Sequence, residues 1–397
     1  MGELRNPRTR GPVQLNRVVV AGLLCAVGSL VGMTTPSLAN NPPPSPPADQ
    51  AVGQDGTQTT AKSVAVVNTT LEGIRDRHQS TSEPTAPPTQ FSADGLDELG
   101  LEALGYSPKR ARITSNPLYK APPKPVAAAS KVIYSGWGQT YVDREWRDAS
   151  NGGIDFGRKS TTVGGVVGFD AIITNVRTSN DAVVLGVLGS ETSSTVKGND
   201  RSKTHLRGPG VGAYAAYVVG QYSVDAVYKA DFLDLTRKAP SVANLDLGMT
   251  NHIVALNFNN KIPIQKSWWI EPTVGFSRSR LIWNDSSRAR GFVDGSEWRV
   301  QGGARTGTSF TWNKVRVEPT LAAIAYSPVS IEGGSVPVAA GQPTSPLDKG
   351  KLFGQTTGKM NFVFSPTLSS YVEGEVRGTS GVLGAAGRIG VRKVLHQ

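Results

Sequence analysis

From Tyr222 to Asp234 the chain reads YSVDAVYKADFLD, and its side chains alternate in kind. Tyr222, Val224, Ala226, Tyr228, Ala230 and Phe232 are apolar, whereas Ser223, Asp225, Lys229 and Asp231 between them are polar. A period of two sends these sets to opposite faces of a β-strand, while a helix would mix them. One face needs an apolar neighbour and the other needs water or ion partners. Two surroundings meet that demand: a soluble sandwich, or a barrel with lipid outside and a wet lumen.

The pattern recurs downstream of Lys131. In WRVQGGART, Trp298, Val300, Gly302 and Ala304 alternate with Arg299, Gln301, Gly303 and Arg305. In VRVEPTLAA, Val315, Val317, Pro319 and Leu321 alternate with Arg316, Glu318 and Thr320. In SSYVEGEVRG, Ser370, Val372, Gly374 and Val376 alternate with Tyr371, Glu373, Glu375 and Arg377. About twelve strands are predicted, over 132–146, 159–173, 182–196, 209–219, 222–235, 247–260, 267–283, 295–310, 314–329, 350–365, 368–378 and 381–395. Many exceed the ~5–6 residues usual in soluble sheets. Tight turns at 220, 263, 311 and 365 alternate with longer polar loops at 148–158, 197–208, 236–246, 284–294 and 330–349. Short turns at one rim and long loops at the other build a transmembrane barrel. Aromatics near strand ends (Tyr134, Trp137, Trp146, Trp268, Trp269, Trp283, Trp298, Phe310, Trp312) read as interfacial girdles. The fold expected is all-β: a closed antiparallel transmembrane β-barrel over 131–397.

The N-terminus supports export. Arg5, Arg8, Arg10 and Arg17 precede the apolar run Val18–Met33, and Ser37 and Ala39 occupy a small-x-small site. Residues 1–39 are therefore expected to be a cleaved signal peptide. The single cysteine, Cys25, lies in that run, so the mature chain carries no disulfide. No other apolar run is long enough for a membrane helix, so any span must be made of strands.

Residues 40–130 are rich in Pro, Ser, Thr and Ala and are expected to be a mostly disordered linker or short passenger. Two short helices are predicted within it. One, over 62–79, carries the stripe Val64, Val67, Leu71 and Ile74; the other carries Leu96, Leu99 and Leu104. Each is either a transient helix in a linker or a helix docked in a pore or on a partner.

Several stretches resemble the autotransporter β-domain, the translocator barrel of type V secretion in Gram-negative bacteria. YSGWGQTYVDREWRDASNGG is similar to its first strand and hairpin, STTVGGVVGFDAII to its second strand, and GVGAYAAYVVGQYSVDAVYKADF to its central hairpin. WWIEPTVGFSRSR and VRVEPTLAAIAYS resemble its Pro-containing strands. The resemblance covers about two thirds of the chain. It implies an outer-membrane, monomeric barrel with outer-membrane lipid, lipopolysaccharide and the barrel assembly machinery as partners, and no nucleic acid. The sequence departs from the family in three ways. It ends GRIGVRKVLHQ on the non-aromatic Gln397, with Val394 and Leu395 slipping out of the alternation. Before the first strand, where the family places a lumen helix, stands YKAPPKPVAAAS. No large β-helical passenger precedes the barrel.

No catalytic motif is found, and no cofactor or metal is expected. GPGVGAY at 208–214 leads into a strand and not into a helix, and His78, His205, His252 and His396 lack metal-ligand spacing. The charges assigned to the lumen are Asp225, Lys229, Asp231, Glu271, Arg299 and Arg305, and further along Arg316, Glu318, Glu373, Glu375 and Arg377. They either line an aqueous pore or pair across it. Lys197, Arg201, Lys203, Arg207, Arg288 and Arg290 are basic loop residues that either meet lipopolysaccharide phosphates or are solvated. Three functions fit: export or display of the chain's own N-terminal segment, a porin-like channel plugged by that segment, or a structural or adhesive surface protein acting through its loops.

Overall fold

The computed structural model describes residues 47–81 and 130–396, apart from 179, 241, 266, 335–344 and 346. The expected signal peptide, the Leu96–Leu104 helix and Gln397 lie outside the described residues. Twelve long antiparallel strands form one sheet: β1 (Lys131–Arg147), β2 (Arg158–Thr174), β3 (Asp181–Gly198), β4 (Lys203–Val219), β5 (Tyr222–Ala239), β6 (Val242–Asn260), β7 (Trp268–Trp283), β8 (Gly295–Gly307), β9 (Val315–Gly333), β10 (Phe353–Ser365), β11 (Leu368–Thr379) and β12 (Val382–His396). Each pairs with its sequence neighbours, and β12 returns to pair with β1, so the sheet closes. Closure leaves no edge in lipid.

One rim carries tight connections. Gly220 turns β4 into β5 with a φ of 57°. Asn313 and Lys314, both at positive φ, turn the short strand Phe310–Trp312 back onto β9. The other rim carries a small hairpin at 150–155, a loop with a one-turn helix (Asp285–Arg288) capped by Asn284, and the segment between β9 and β10.

The expected loops at 197–208 and 236–246 are mostly strand. β3 and β4 are joined by a turn at 199–202, and the β5–β6 ladder runs on to Ala239 and Val242. The reason is visible on β5. Inward parity holds along its length, but beyond Phe232 the chemistry of the faces inverts. Leu233 and Leu235 point in and are buried, while Asp234 and Thr236 point out and are exposed. There the outward face turns polar and the inside becomes an apolar core. Val196, Leu206, Leu233, Leu235, Leu247, Met249, Leu281, Trp283 and Phe292 form it. Consequently Lys197, Lys203 and Arg207 sit on strands and not in loops.

Three of the aromatics read as girdle residues face inward. Trp269, in phase with buried Glu271, lies under the charged ends of Arg305 and Lys261. Trp137 is buried, and its indole N–H donates to the Tyr214 hydroxyl at 2.7 Å. Trp283 is buried against Phe292 and donates to the Val293 carbonyl. Their positions along the strands suit a girdle, but their parity is that of the inner face. The C-terminal strand is also more regular than expected. Leu395 is exposed in phase with Ile389 and Val391, and a register shift between Tyr134 and Ser135 absorbs the irregularity.

Candidate functional site: the lumen and its helix

The helix predicted over 62–79 extends upstream to become α1 (Pro47–Thr81), 35 residues long, or about 52 Å at 1.5 Å per residue. Pro47 suits a first helical turn. The segment that follows is a poor helix former, with Gly53, Gly56 and a run of threonines. Thr59 and Ser63 return their hydroxyls to the carbonyls of Asp55 and Thr60. Tertiary contacts supply what propensity lacks. At Gly53 any Cβ would stand 1.5 Å from the Gly334 carbonyl oxygen, so only glycine fits where the helix passes that loop.

The helix packs against strands β1–β7 and reaches β8, β10 and β11 through polar side chains. Its stripe of Val64, Val67, Leu71 and Ile74 is buried against Trp137, Val166, Val184, Tyr214, Val227 and Ile253. Polar contacts fix its height. At the loop-bearing rim, Gln50 accepts from the Ser345 N–H (2.8 Å), the Gln54 amide donates to Asp348 (3.0 Å), and Arg158 donates to Asp55 (2.8 Å). Midway, Lys62 pairs with Asp143 (2.8 Å), Gln139 donates to the Val66 carbonyl (2.7 Å), and Lys359 donates to the Thr69 carbonyl (2.9 Å). Toward the short-turn rim, Arg75 bridges Asp225 and Glu271, Arg305 clasps both Asp76 (2.8 Å) and Glu271 (2.8 Å), and Gln79 donates to the carbonyls of Gly220 and Gln221.

Ten of the eleven charges assigned to the lumen fall into four groups, and Arg299 stands apart from them. Asp225, Glu271 and Arg305 are buried and form the cluster around Arg75 just described. Lys229 and Asp231 are fully buried and pair with each other, with Ser63 of the helix donating to Asp231 at 3.4 Å. Glu373 and Glu375 accept from Arg388, and Arg377 reaches Asp143 (2.6 Å), Glu145 (3.0 Å) and Glu375 (3.0 Å). Arg316 pairs with Glu318 (2.8 Å) at the mouth of the short-turn rim, and Arg299 stacks on Tyr326 with 3.5 Å to the ring centre. The fully buried members of these groups are ion-paired, as desolvation requires.

Sequence reasoning missed Asp143, Arg147, Arg158, Lys359 and Arg388, which complete the networks. Asp143, Glu145 and Arg147 alternate with exposed Val142, Arg144 and Trp146 in YVDREWR, so the same period-two signal was present there. Outside the spanning strands, Asp155 accepts from the Asn199 amide and the Gly157 N–H, which hold its carboxyl below the usual range.

The lumen is not filled. Three cavities, of about 430, 160 and 100 Å3, follow one another along the helix from the short-turn rim to the loop-bearing rim. Successive cavities share wall residues: Thr320 and Lys359 in the lower pair, Arg299, Gln355, Glu375 and Arg388 in the upper pair. The site can therefore do two things chemically. It grips one helix by an apolar seat and buried ion pairs, and it leaves cavities with polar walls beside that helix.

Comparison with known proteins agrees with this geometry. The Autotransporter beta-domain family profile matches residues 136–375. The β-domain of the Bordetella autotransporter BrkA superposes with a TM-score of 0.51 at 15% identity, covering 66% of this chain and 98% of that one. The transport unit of the autotransporter AIDA-I from Escherichia coli superposes with a TM-score of 0.50 at 11% identity, covering 76% and 98%. No curated protein matches in sequence. With a twelve-strand barrel closed around a helix and a family match over more than half its length, the chain belongs to the autotransporter β-domain family, translocator barrels of the outer membrane.

Proposed function

We propose that this barrel displays residues 40–46, the segment left before Pro47 once the expected signal peptide is removed, at the cell surface and that α1 is the tether retained in the lumen. The polarity of α1 carries this reading. Its N-terminal turns are held by Ser345, Asp348 and Arg158 at the loop-bearing rim, and its last turn is held by the Gly220–Gln221 turn at the opposite rim. In outer-membrane barrels the long-loop rim is extracellular and the short-turn rim periplasmic. The chain before Pro47 therefore departs from the outer side.

An epitope inserted between Asn41 and Pro42 tests this. The insertion avoids Gln54, whose amide is engaged inside the barrel by Asp348 and Arg158. Antibody and added protease are expected to reach the epitope on intact cells. If neither does, display fails.

A second reading, a solute channel plugged by α1, is favoured by the cavities beside the helix. It predicts low conductance for the full chain in planar bilayers and a large rise when residues 47–81 are deleted. An inaccessible epitope together with that rise would make the plugged channel the better account.

A further inference from the structure

We propose that α1 clamps the line along which the barrel closes, β1 against β12, so that docking of the helix and closure of the sheet form one coupled equilibrium. The inference stands whether the helix tethers a displayed segment or plugs a channel, since both keep it in the lumen.

Closure joins segments far apart in the chain. Asp143 and Arg377, which meet across the closing junction, are 234 residues apart. Bringing such distant segments together carries an entropic cost, yet the ladder that does it is poor in side chains. Five of its rungs carry a glycine: Gly136, Gly138, Gly384, Gly387 and Gly390. Such rungs lack the cross-strand pairs that stabilise a sheet. The inward Gln139, Asp143 and Glu145 of β1 face Gly390, Ala386 and Gly384 of β12, so none of the three meets a polar side chain in its own rung.

Their partners come from either side. From β11, two side chains reach over β12 through the gaps that glycine leaves. Tyr371 passes Gly390, where a Cβ would strike its ring, and donates to Gln139. Arg377 passes Gly384, where a Cβ would stand 2.9 Å from its guanidinium, and reaches Asp143 (2.6 Å) and Glu145 (3.0 Å). From the lumen, α1 takes two of the same β1 residues. Lys62 pairs with Asp143 at 2.8 Å, and Gln139 donates to the Val66 carbonyl at 2.7 Å. Lower down, the helix crosses to β11, where Thr69 donates to Glu373 (3.4 Å) and Arg77 to Ser369 (2.7 Å). Glu373 is itself gripped by Arg388 of β12. The helix therefore holds the sheet on both sides of the junction. Gln139 and Asp143 are each shared between α1 and a β11 side chain. Ordering them for one partner orders them for the other, and a coupling of this kind is reciprocal.

The test follows amide hydrogen exchange of the full-length chain in lipid nanodiscs, read by mass spectrometry on peptides from α1, β1, β12 and the β4–β5 hairpin. Lys62→Met with Thr69→Val and Arg77→Met removes the helix side of the clamp. Exchange in β1 and β12 is expected to quicken about tenfold, with the β4–β5 hairpin hardly changed. Tyr371→Phe with Arg377→Met alters only strand residues, and it is expected to quicken exchange in α1 over 62–77 by a similar factor. Neither variant strands a buried carboxylate: Asp143 keeps Arg377 or Lys62, Glu145 keeps Arg147, and Glu375 keeps Arg388. Heat-modifiable mobility shows that each variant folds; should the triple variant fail to, Lys62→Met alone takes its place. Unchanged protection of β1 and β12 in the helix variant overturns the proposal, and so does unchanged protection of α1 in the strand variant. Equal quickening of every strand would mean a general loss of stability and would overturn it as well.

Discussion

The two halves of the barrel meet the same helix in opposite ways. Strands β1–β6 offer an apolar seat, in which Trp137, Val166, Val184, Tyr214, Val227 and Ile253 close over Val64, Val67, Leu71 and Ile74. Strands β7–β12 offer mostly polar side chains, among them Arg299, Gln301, Gln355, Thr357 and Glu375, and the cavities lie chiefly on that side. The helix is therefore docked on half a sheet and does not cork a cylinder. Apolar burial holds it without demanding a single orientation. Orientation is set at the seam, where Arg75 joins Asp225 of β5 to Glu271 of β7. One half of the barrel seats the helix, and the other leaves polar-lined cavities beside it.

The largest effect is expected at that seam. Arg75→Ala leaves buried Asp225 without its cation and Glu271 with Arg305 alone, and should cost about 3–5 kcal/mol in a lipid-based unfolding titration. Replacing the cluster together, Arg75→Met with Asp225→Asn and Glu271→Gln, should recover most of the loss, because no uncompensated charge is left buried. A loss under 1 kcal/mol for Arg75→Ala would mean that the seam does not fix the helix.

The two faces of α1 come next. Leu71→Ala, in the dry seat, should cost about 2–5 kcal/mol through lost burial and a residual cavity. Asn68→Ala, beside the wet path, should cost about 1 kcal/mol or less. Comparable losses would erase the distinction between the halves.

A charge placed on each surface of the wall separates lipid from lumen. Ala226 lies on the outward face of β5, between buried Asp225 and Val227, and Ala226→Arg should cost about 2–4 kcal/mol near the midplane. Thr357→Lys, pointing into the cavity of about 160 Å3, should cost about 1 kcal/mol or less.

The barrel was legible in the sequence because its signal is redundant. Period-two alternation repeats in every strand, and one inverted stretch does not hide the rest. The inversion itself was misread: where Leu233 and Leu235 turn inward and Lys238 and Lys203 outward, the polar residues looked like loop. Alternation also fixed which charges share a face with Asp225 or Glu373, yet it held nothing about what each would meet. Those partners depend on the height and rotation of α1. That helix was only half visible, since Gly53, Gly56 and the threonines that follow have no helical preference of their own and are ordered by the lumen around them. The lumen helix also comes from residues 47–81, well upstream of the place directly before β1 where the family pattern led one to seek it.

The smallest perturbation gives the most direct view of the two halves. The sequence contains one cysteine, Cys25, so in a Cys25→Ser background a new thiol reports on its own site. Thr357→Cys is nearly isosteric and places the sulfur on the wet side, in the wall of the middle cavity. Val184→Cys places it in the dry seat, where the native side chain is only 1% exposed. Neither change adds bulk, and stability should hardly move for Thr357→Cys. The readout is the rate at which a small charged thiosulfonate modifies the folded barrel in membranes. Only water carries such a reagent to a thiol, and only a thiolate reacts. Thr357→Cys should label in the folded state, and Val184→Cys only after unfolding. If both react alike, water surrounds the helix and the apolar seat is not dry. If neither reacts, the cavities are closed to small solutes and the path beside α1 is not a path.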